Sequence, residues 1–476
     1  MNSVDSNLSG PTIKGELRQL VKLGLPLLGT QLAGMSMGIA DVIMAGHISA
    51  EDLAGVALAS AVIWPCAMLM MGLLQALTPA VAQLNGAGRI GETGELARQT
   101  LWMALAGSCL LALVLNNSEP YYELLNVAPE ALQVTLPYLQ VMSWAMPALM
   151  GYFALRFLAE GMGFTRPAMH IAFAALALKI PLNYVFMYGK LGLPAMGGVG
   201  CAIASVIVMW FEFLAMIWFV SGRRYQATGW RSRFSWPDWS IWGRQLLIGL
   251  PIGVTIFLEM GVFTLVTALL GRFGAETVSS HSIAINLAGF SFMFPLALGM
   301  AATIRIGFNV GADDLGRARR TVGAAMAGSL VTAFVAAITV LLLREQIVSL
   351  FTRDQVVHQL AVELMVMVAF FQIFDHLQAT AIGALRGYKD TRLPLWVTIG
   401  CYWMVGLPLG LLLGYGWMGQ LTGLEAMGIK GFWIGLITGL GLVALCVVPR
   451  IWWVSGNAPF IRRLANIKEA SGEIPG

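Results

Sequence analysis

The sequence predicts an all-α polytopic membrane protein, with twelve transmembrane helices in two pseudo-symmetric six-helix lobes. Three observations carry that expectation. Apolar runs of about 20 residues recur along the whole chain, each long enough to cross a hydrocarbon core of about 30 Å. Lys and Arg gather in every second connection between those runs. Short stretches of the first half return, in order, in the second.

The apolar runs come first. Of the 476 residues, 58% are apolar and 11% are charged. Soluble domains carry nearer a quarter charged residues, so this composition cannot clothe a water-facing surface. The runs place the spans at 17–45, 53–83, 95–117, 130–158, 166–188, 198–220, 243–270, 279–309, 319–343, 358–384, 393–416 and 431–454. The opening MNSVDSNLSGPTIKGELRQ has no short apolar core followed by a small-residue cleavage site. No signal peptide is therefore expected. Cys66, Cys109, Cys201, Cys401 and Cys446 all fall inside apolar runs without CxxC or Cys/His spacing. They read as small membrane-embedded thiols, not as a metal or disulfide framework.

Charge fixes the expected orientation. The two ends of the chain and the connections after even-numbered spans hold most of the 29 Lys and Arg residues. Among them are Arg223, Arg224, Arg231, Arg233, Arg317, Arg319 and Arg320. The connections after odd-numbered spans hold Lys190, Arg272, Arg344, Arg353 and Lys430, and Lys179 lies inside span 5. A basic excess on one side places both termini in the cytoplasm. The net charge of +4 is then topology, with some attraction to anionic lipid, and no nucleic-acid partner is expected.

The repeat comes third. Gly24-Leu25-Pro26 returns as Gly249-Leu250-Pro251. The same offset of 225 pairs Gly46 with Gly271, Ala50-Glu51 with Ala275-Glu276, Thr78 with Thr303, and Gly86-Ala87 with Gly311-Ala312. Six spans per half make the repeats parallel, and transporters of that build hold substrate between halves that rock to alternate access. The expected organisation is a cytoplasmic segment 1–16, an N-lobe 17–220, a cytoplasmic linker 221–242, a C-lobe 243–454 and a cytoplasmic tail 455–476. Pro26, Pro65, Pro147, Pro251, Pro295 and Pro408 mark kinks within spans, since each removes a helical hydrogen bond.

Ionisable residues inside the spans are the candidate functional groups. An acid at the centre of a membrane helix costs about 2.5–3.5 kcal/mol on insertion scales. Asp41 follows the small-residue run GTQLAGMSMGIA, which also carries Gln31, and small residues let helices approach closely. Glu259 sits near the middle of span 7. Gln372, Asp375, His376 and Gln378 lie within two turns of span 10, where spacings of three and four share much of one face. If Glu259 faces that stripe, two carboxylates occupy one low-dielectric site and favour protonation or a metal cation. Glu259 and Asp375 are accordingly candidate Na⁺ ligands, and His376 reads as a simple hydrogen-bonding partner, with a proton shuttle as the alternative. Arg156 and Glu160, one turn apart, read as a structural pair, and Glu212 and Glu363 as structural or interfacial groups.

At these residues the chain resembles a multidrug and toxic compound extrusion (MATE) transporter of the bacterial NorM-type branch. The resemblance covers nearly the whole chain. It rests on GIADVIMAGHISAEDLAGVALA, TPAVAQLNGAGR, FTRPAMHI, KIPLNYVFMYGKLG, GGVGCAIAS, MFPLALGMAATIRIG and LRGYKD, in this order. It implies two six-helix lobes in a V around a central cleft. It also implies export of amphipathic, mainly cationic small molecules in exchange for H⁺ or Na⁺; a monomer in the bacterial inner membrane with no other cofactor is expected. By position, Asp41 matches the family's first-helix acid, Glu259 and Asp375 its C-lobe acid pair, and Asn183 a polar position near the N-lobe acid. Gln31 joins Lys179 and Asn183 as an expected polar neighbour of Asp41. Two departures tilt the expectation toward H⁺. Phe371 stands where some relatives carry a tyrosine oxygen. Lys179 stands where others carry asparagine, and an ammonium there would pair with Asp41 and fill the space of a Na⁺. Other carriers of this architecture, a lipid-linked oligosaccharide flippase or a metabolite exporter, are the alternatives. No HExxH, GxSxG or paired-aspartate protease motif suggests an enzyme, and no filter-like segment suggests a channel.

Overall fold

The structure, a computed structural model, describes residues 12–124, 127–416 and 425–465. Residues 1–11 and 466–476, the outer parts of the expected cytoplasmic ends, lie outside them. Among the described residues the regular structure is helical throughout. Eleven helices and one bent pair are long and apolar enough to cross a membrane. In chain order they are α1 (Ile13–Gly46), α2 (Ala50–Gly86), α3 (Ile90–Asn116), α4 (the pair Pro129–Ser143 and Met146–Gly161), α5 (Arg166–Tyr188), α6 (Gly197–Val220), α7 (Trp239–Phe273), α8 (Ala275–Gly311), α9 (Leu315–Phe351), α10 (Gln355–Gly387), α11 (Arg392–Gly414) and α12 (Ile429–Gly456). Each overlaps one of the twelve expected spans.

Of the six prolines expected to kink spans, Pro147 and Pro408 lie beside interruptions, whereas Pro26, Pro65, Pro251 and Pro295 sit inside continuous helices. The 50° bend in α4 falls at Trp144 and Ala145, just before Pro147. In α11 a π-turn at Ile399–Gly406 precedes Pro408, whose ring nitrogen has no hydrogen to give to Met404. A third break, in α2 at Gln75 and Ala76, was not expected from the sequence. Pro79 cannot donate to the Gln75 carbonyl, which accepts the Thr78 N–H instead at 3.1 Å.

The chain forms two compact units: Leu25–Gly253, and Val254–Gly476 with Met1–Gly24. The divisions fall inside α1 and α7, next to the repeated Gly-Leu-Pro, not in the polar connections that separate lobes by chain order. In the first unit Thr100 of α3 donates to Gln245 of α7 at 3.0 Å. In the second, Glu16 of α1 holds Arg305 of α8 at 2.9 Å and Arg317 of α9 at 2.6 Å, and accepts from Thr321 at 2.9 Å. These bonds tie the first turns of α7 and α1 into the units to which they belong.

The repeat is visible in side-chain geometry. In the first unit Thr78 donates to the Phe157 carbonyl at 3.5 Å. In the second, Thr303 donates to the Gly383 carbonyl at 2.6 Å. A Cβ on Gly161 would press on the Thr78 carbonyl, and one on Gly387 on the Thr303 carbonyl. In the second unit α8 and α10 cross with Gly299 against Gly383, where any Cβ would meet backbone. Without side chains between them the two helices pack at backbone distance, and that crossing fixes how α10 presents its polar face.

Candidate functional site

The candidate residues form one cluster within each unit. In the first unit Asp41 stands near the C-terminal end of α1, and Lys179 and Asn183 stand one turn apart on α5. Asn183 Nδ2 donates to Asp41 Oδ1 at 2.7 Å, and Lys179 Nζ lies 3.1 Å from the same oxygen. Lys179 also donates to Ser205 Oγ and, at 3.5 Å, to the Cys201 carbonyl. Its ammonium thus has two hydrogen-bond acceptors beside the carboxylate with which it forms an ion pair. Lys179 is 2% exposed and Asn183 is fully buried. An ammonium enclosed this way is stable only while its carboxylate partner keeps its charge.

Gln31 does not belong to this cluster. Ten residues of α-helix separate it from Asp41, about 15 Å along the axis. Its Oε1 accepts from Arg156 Nη2 at 3.2 Å. Arg156 in turn holds Glu160 at 2.6 Å, the expected one-turn pair. Gln31 therefore helps to solvate the buried guanidinium of α4.

In the second unit Glu259 of α7 faces the polar stripe of α10. Gln378 Nε2 donates to Glu259 Oε1 at 3.2 Å. Asp375 is 5% exposed and interacts electrostatically with Glu259. Among the described residues it makes no hydrogen bond or ion pair. Tyr402 of α11 lies within electrostatic range of both acids, and Arg386 of α10 within range of Glu259.

The other residues of the stripe divide. Gln372 accepts from Ser291 of α8 at 2.9 Å. His376 turns back on its own helix, its Nδ1 2.9 Å from the Gln372 carbonyl, and its Nε2 is buried without a partner. Among the described residues no contact with a carboxylate supports the alternative shuttle role, and its one bond is to the backbone, not to an acid. Phe371 packs edge-on against Phe263 at 6.0 Å and Trp433 at 5.8 Å. The side of the acid pair where a tyrosine oxygen was considered is therefore an apolar aromatic wall.

Of the two groups called structural or interfacial, Glu363 pairs with Lys430 at 2.9 Å on a half-exposed face. Glu212 is 7% exposed and has no such partner. Sequence reasoning missed Cys201, Ser205, Ser291, Tyr402 and Arg386. Cys201 and Ser205 lie one turn apart within the quoted GGVGCAIAS, a spacing that was available. Tyr402 and Ser291 carry no signal beyond isolated polarity inside apolar runs.

Comparison with known proteins follows the same division. The MatE family model matches residues 26–185 and again 251–412, starting at the offset of 225 that relates the two Gly-Leu-Pro copies. The chain is 42% identical over 477 residues to multidrug resistance protein PmpM of Pseudomonas aeruginosa, covering 99% of this chain and 98% of that protein. It is 40% identical over 443 residues to multidrug resistance protein MdtK of Yersinia pseudotuberculosis, covering 92% and 96%. Among solved structures, the eukaryotic MATE transporter AtDTX14 superimposes with a TM-score of 0.85 at 20% identity, covering 95% of this chain and 99% of that one. The Vibrio cholerae MATE transporter VcmN in its bent form gives 0.80 at 20% identity, covering 95% and 98%. These two likenesses bear on the fold.

Proposed function

The chain belongs to the MATE family of multidrug transporters, and from that premise we propose that it is a proton-coupled antiporter. In this reading it exports amphipathic, mainly cationic compounds across the bacterial inner membrane by alternating access, as a monomer with both termini in the cytoplasm. The observation that carries proton coupling is the Lys179–Asp41 pair at 3.1 Å. An ammonium already fills the position in which a Na⁺ would meet the Asp41 carboxylate. A proton on Asp41 would discharge the carboxylate and release Lys179, a change large enough to favour a different packing of α1 against α5 and α6.

In the second unit, half-buried Glu259 and buried Asp375 lie within electrostatic range of each other, and the Gln378 amide donates to Glu259 alone. Like charges that close favour uptake of one cation, and in this reading the cation is a proton. The same pair would be the Na⁺ ligands if the coupling ion were sodium. Each coupled proton supplies about 1.4 kcal/mol per pH unit; the membrane potential adds about 2.3 kcal/mol per 100 mV only for each net charge moved, which is none when one proton exchanges for one monovalent cation. Modest gradients therefore sustain a substrate ratio of about ten to a hundred. A ligand shifts a two-state equilibrium only by its difference in affinity for the states, so the acids must be paired differently in the two.

The test is ethidium transport into everted membrane vesicles under an imposed ΔpH or an imposed ΔNa⁺. Transport under ΔpH alone is expected. Transport that needs ΔNa⁺ and ignores ΔpH would reverse the assignment and move the coupling site to Glu259 and Asp375 as metal ligands.

A further inference from the structure

The first unit holds a buried acid that the Asp41 site does not use. Glu212 lies on the packed face of α6, in the series Cys201, Ser205, Val208, Glu212, Met216 and Val220, all buried. It is therefore on the same stripe as the two residues that bind Lys179. The helices packed against α6 are α4, α5 and α2. From α4, the ionisable groups near this stripe are Arg156, Glu160, Tyr152 and Tyr138. From α5 there is Lys179. α2 carries Glu51, Asp52 and Cys66, of which Asp52 accepts from the Gly198 N–H at 2.5 Å at the far end of α6.

Counting charges inside this unit isolates Glu212. Among the described residues of this unit the buried ionic side chains are Arg98, Arg156, Lys179, Glu160 and Glu212, with Asp41 half-buried beside Lys179, and Arg98 is paired with Glu95 at 2.5 Å. Lys179 is committed to Asp41 at 3.1 Å and Arg156 to Glu160 at 2.6 Å. Glu212 interacts with both cations electrostatically but forms no ion pair or hydrogen bond among the described residues. A membrane interior does not hold an uncompensated negative charge; the acid there is neutralised or binds a cation.

We infer that Glu212 is the proton-carrying carboxylate of the first unit, standing between the Arg156–Glu160 pair and the Lys179–Asp41 pair. This rests on the proton-coupled reading above and extends it. Asp41 switches the packing of α1, and Glu212 supplies or receives the proton that does so. When Asp41 is protonated, Lys179 is freed, and Glu212 is the remaining buried carboxylate on that stripe with which it can pair once Glu212 has lost its proton. The excess proton then moves between two acids that share one ammonium.

Infrared spectroscopy of the purified full-length protein tests this, by following the carboxylic-acid C=O stretch and its shift in D₂O. At pH 7 the band is expected in wild type; its Glu212 component should weaken in Asp41→Asn, where Glu212 gives up its proton to pair with the freed Lys179, and should be absent in Glu212→Gln. Glu212→Gln should keep the wild-type melting temperature, because the amide has the shape of a protonated acid, and should lose the proton release that ethidium binding triggers. Glu212→Asp should restore a shifted band, which separates loss of the acid from loss of fold. A wild-type spectrum in Glu212→Gln, together with a lowered melting temperature, would overturn the inference and make Glu212 an ionised partner of Arg156. Vesicles driven by ΔNa⁺ alone, in a protein whose band still belongs to Glu212, would sink proton coupling while leaving the Glu212 site standing.

Discussion

The two halves of the molecule descend from one pattern and have settled their buried acids in opposite ways. In the first unit Asp41 is matched by an enclosed ammonium and an amide, and Lys179 has two further acceptors. In the second, Asp375 has no matched cation, and its nearest charge of note is another acid, Glu259. The backbone framework around them is nevertheless repeated, down to the threonine that bonds the neighbouring helix in each unit. The scaffold is thus duplicated while the electrostatics have diverged. One half is poised to break an ion pair, and the other to relieve a repulsion.

That contrast makes predictions of graded size. Asp41→Asn takes from Lys179 the carboxylate it is paired with, a change that costs up to about 3–5 kcal/mol, less whatever pairing with Glu212 restores. Asp375→Asn breaks no ion pair and is expected to leave stability unchanged or slightly improved. Thermal melting of the purified variants reads both, and equal losses would erase the distinction between the halves. Adding Lys179→Met to Asp41→Asn should recover most of the lost stability and none of the coupled transport.

A smaller effect is expected from Lys179→Ala alone. With the ammonium gone, Asp41 and Asn183 are free to bind Na⁺, and efflux should gain a Na⁺ response while its steepness with pH falls. An unchanged response to both ions would detach Lys179 from coupling. The paired threonines come next. Thr303→Val removes a 2.6 Å hydrogen bond and should cost about 1 kcal/mol, whereas Thr78→Val, with its 3.5 Å contact, should cost less. Denaturation in mild detergent would show whether the order holds. The smallest change is Phe371→Tyr, which offers the acid pair one more oxygen from the aromatic wall. A few-fold rise in Na⁺-induced stabilisation would sharpen the view that Phe371 disfavours sodium.

The fold was legible because membranes impose long apolar runs, and twelve such runs cannot be hidden in a sequence. The breaks were legible only in part. Pro147 and Pro408 announce the bend in α4 and the π-turn in α11. Pro79 gave no such warning, because a proline near a span's end is common and the turn it causes depends on which carbonyl is left over. The pairing of Arg156 with Glu160 followed from helical spacing, and that of Lys179 with Asp41 from a position shared with relatives. Gln31 was misassigned because proximity along α1 stood in for proximity in space. Glu212 looked ordinary in sequence. Its isolation shows only when the partners of Arg156 and Lys179 have been found and each cation proves to be taken.

The most direct measurement is ethidium transport at a fixed ΔpH by Asp41→Asn, Glu259→Gln and Asp375→Asn in everted vesicles, at matched protein levels. If buried carboxylates dock the coupling proton in both halves, each variant should fall at least about tenfold, the equivalent of about 1.4 kcal/mol on the transport barrier. Wild-type rates in all three would contradict the account.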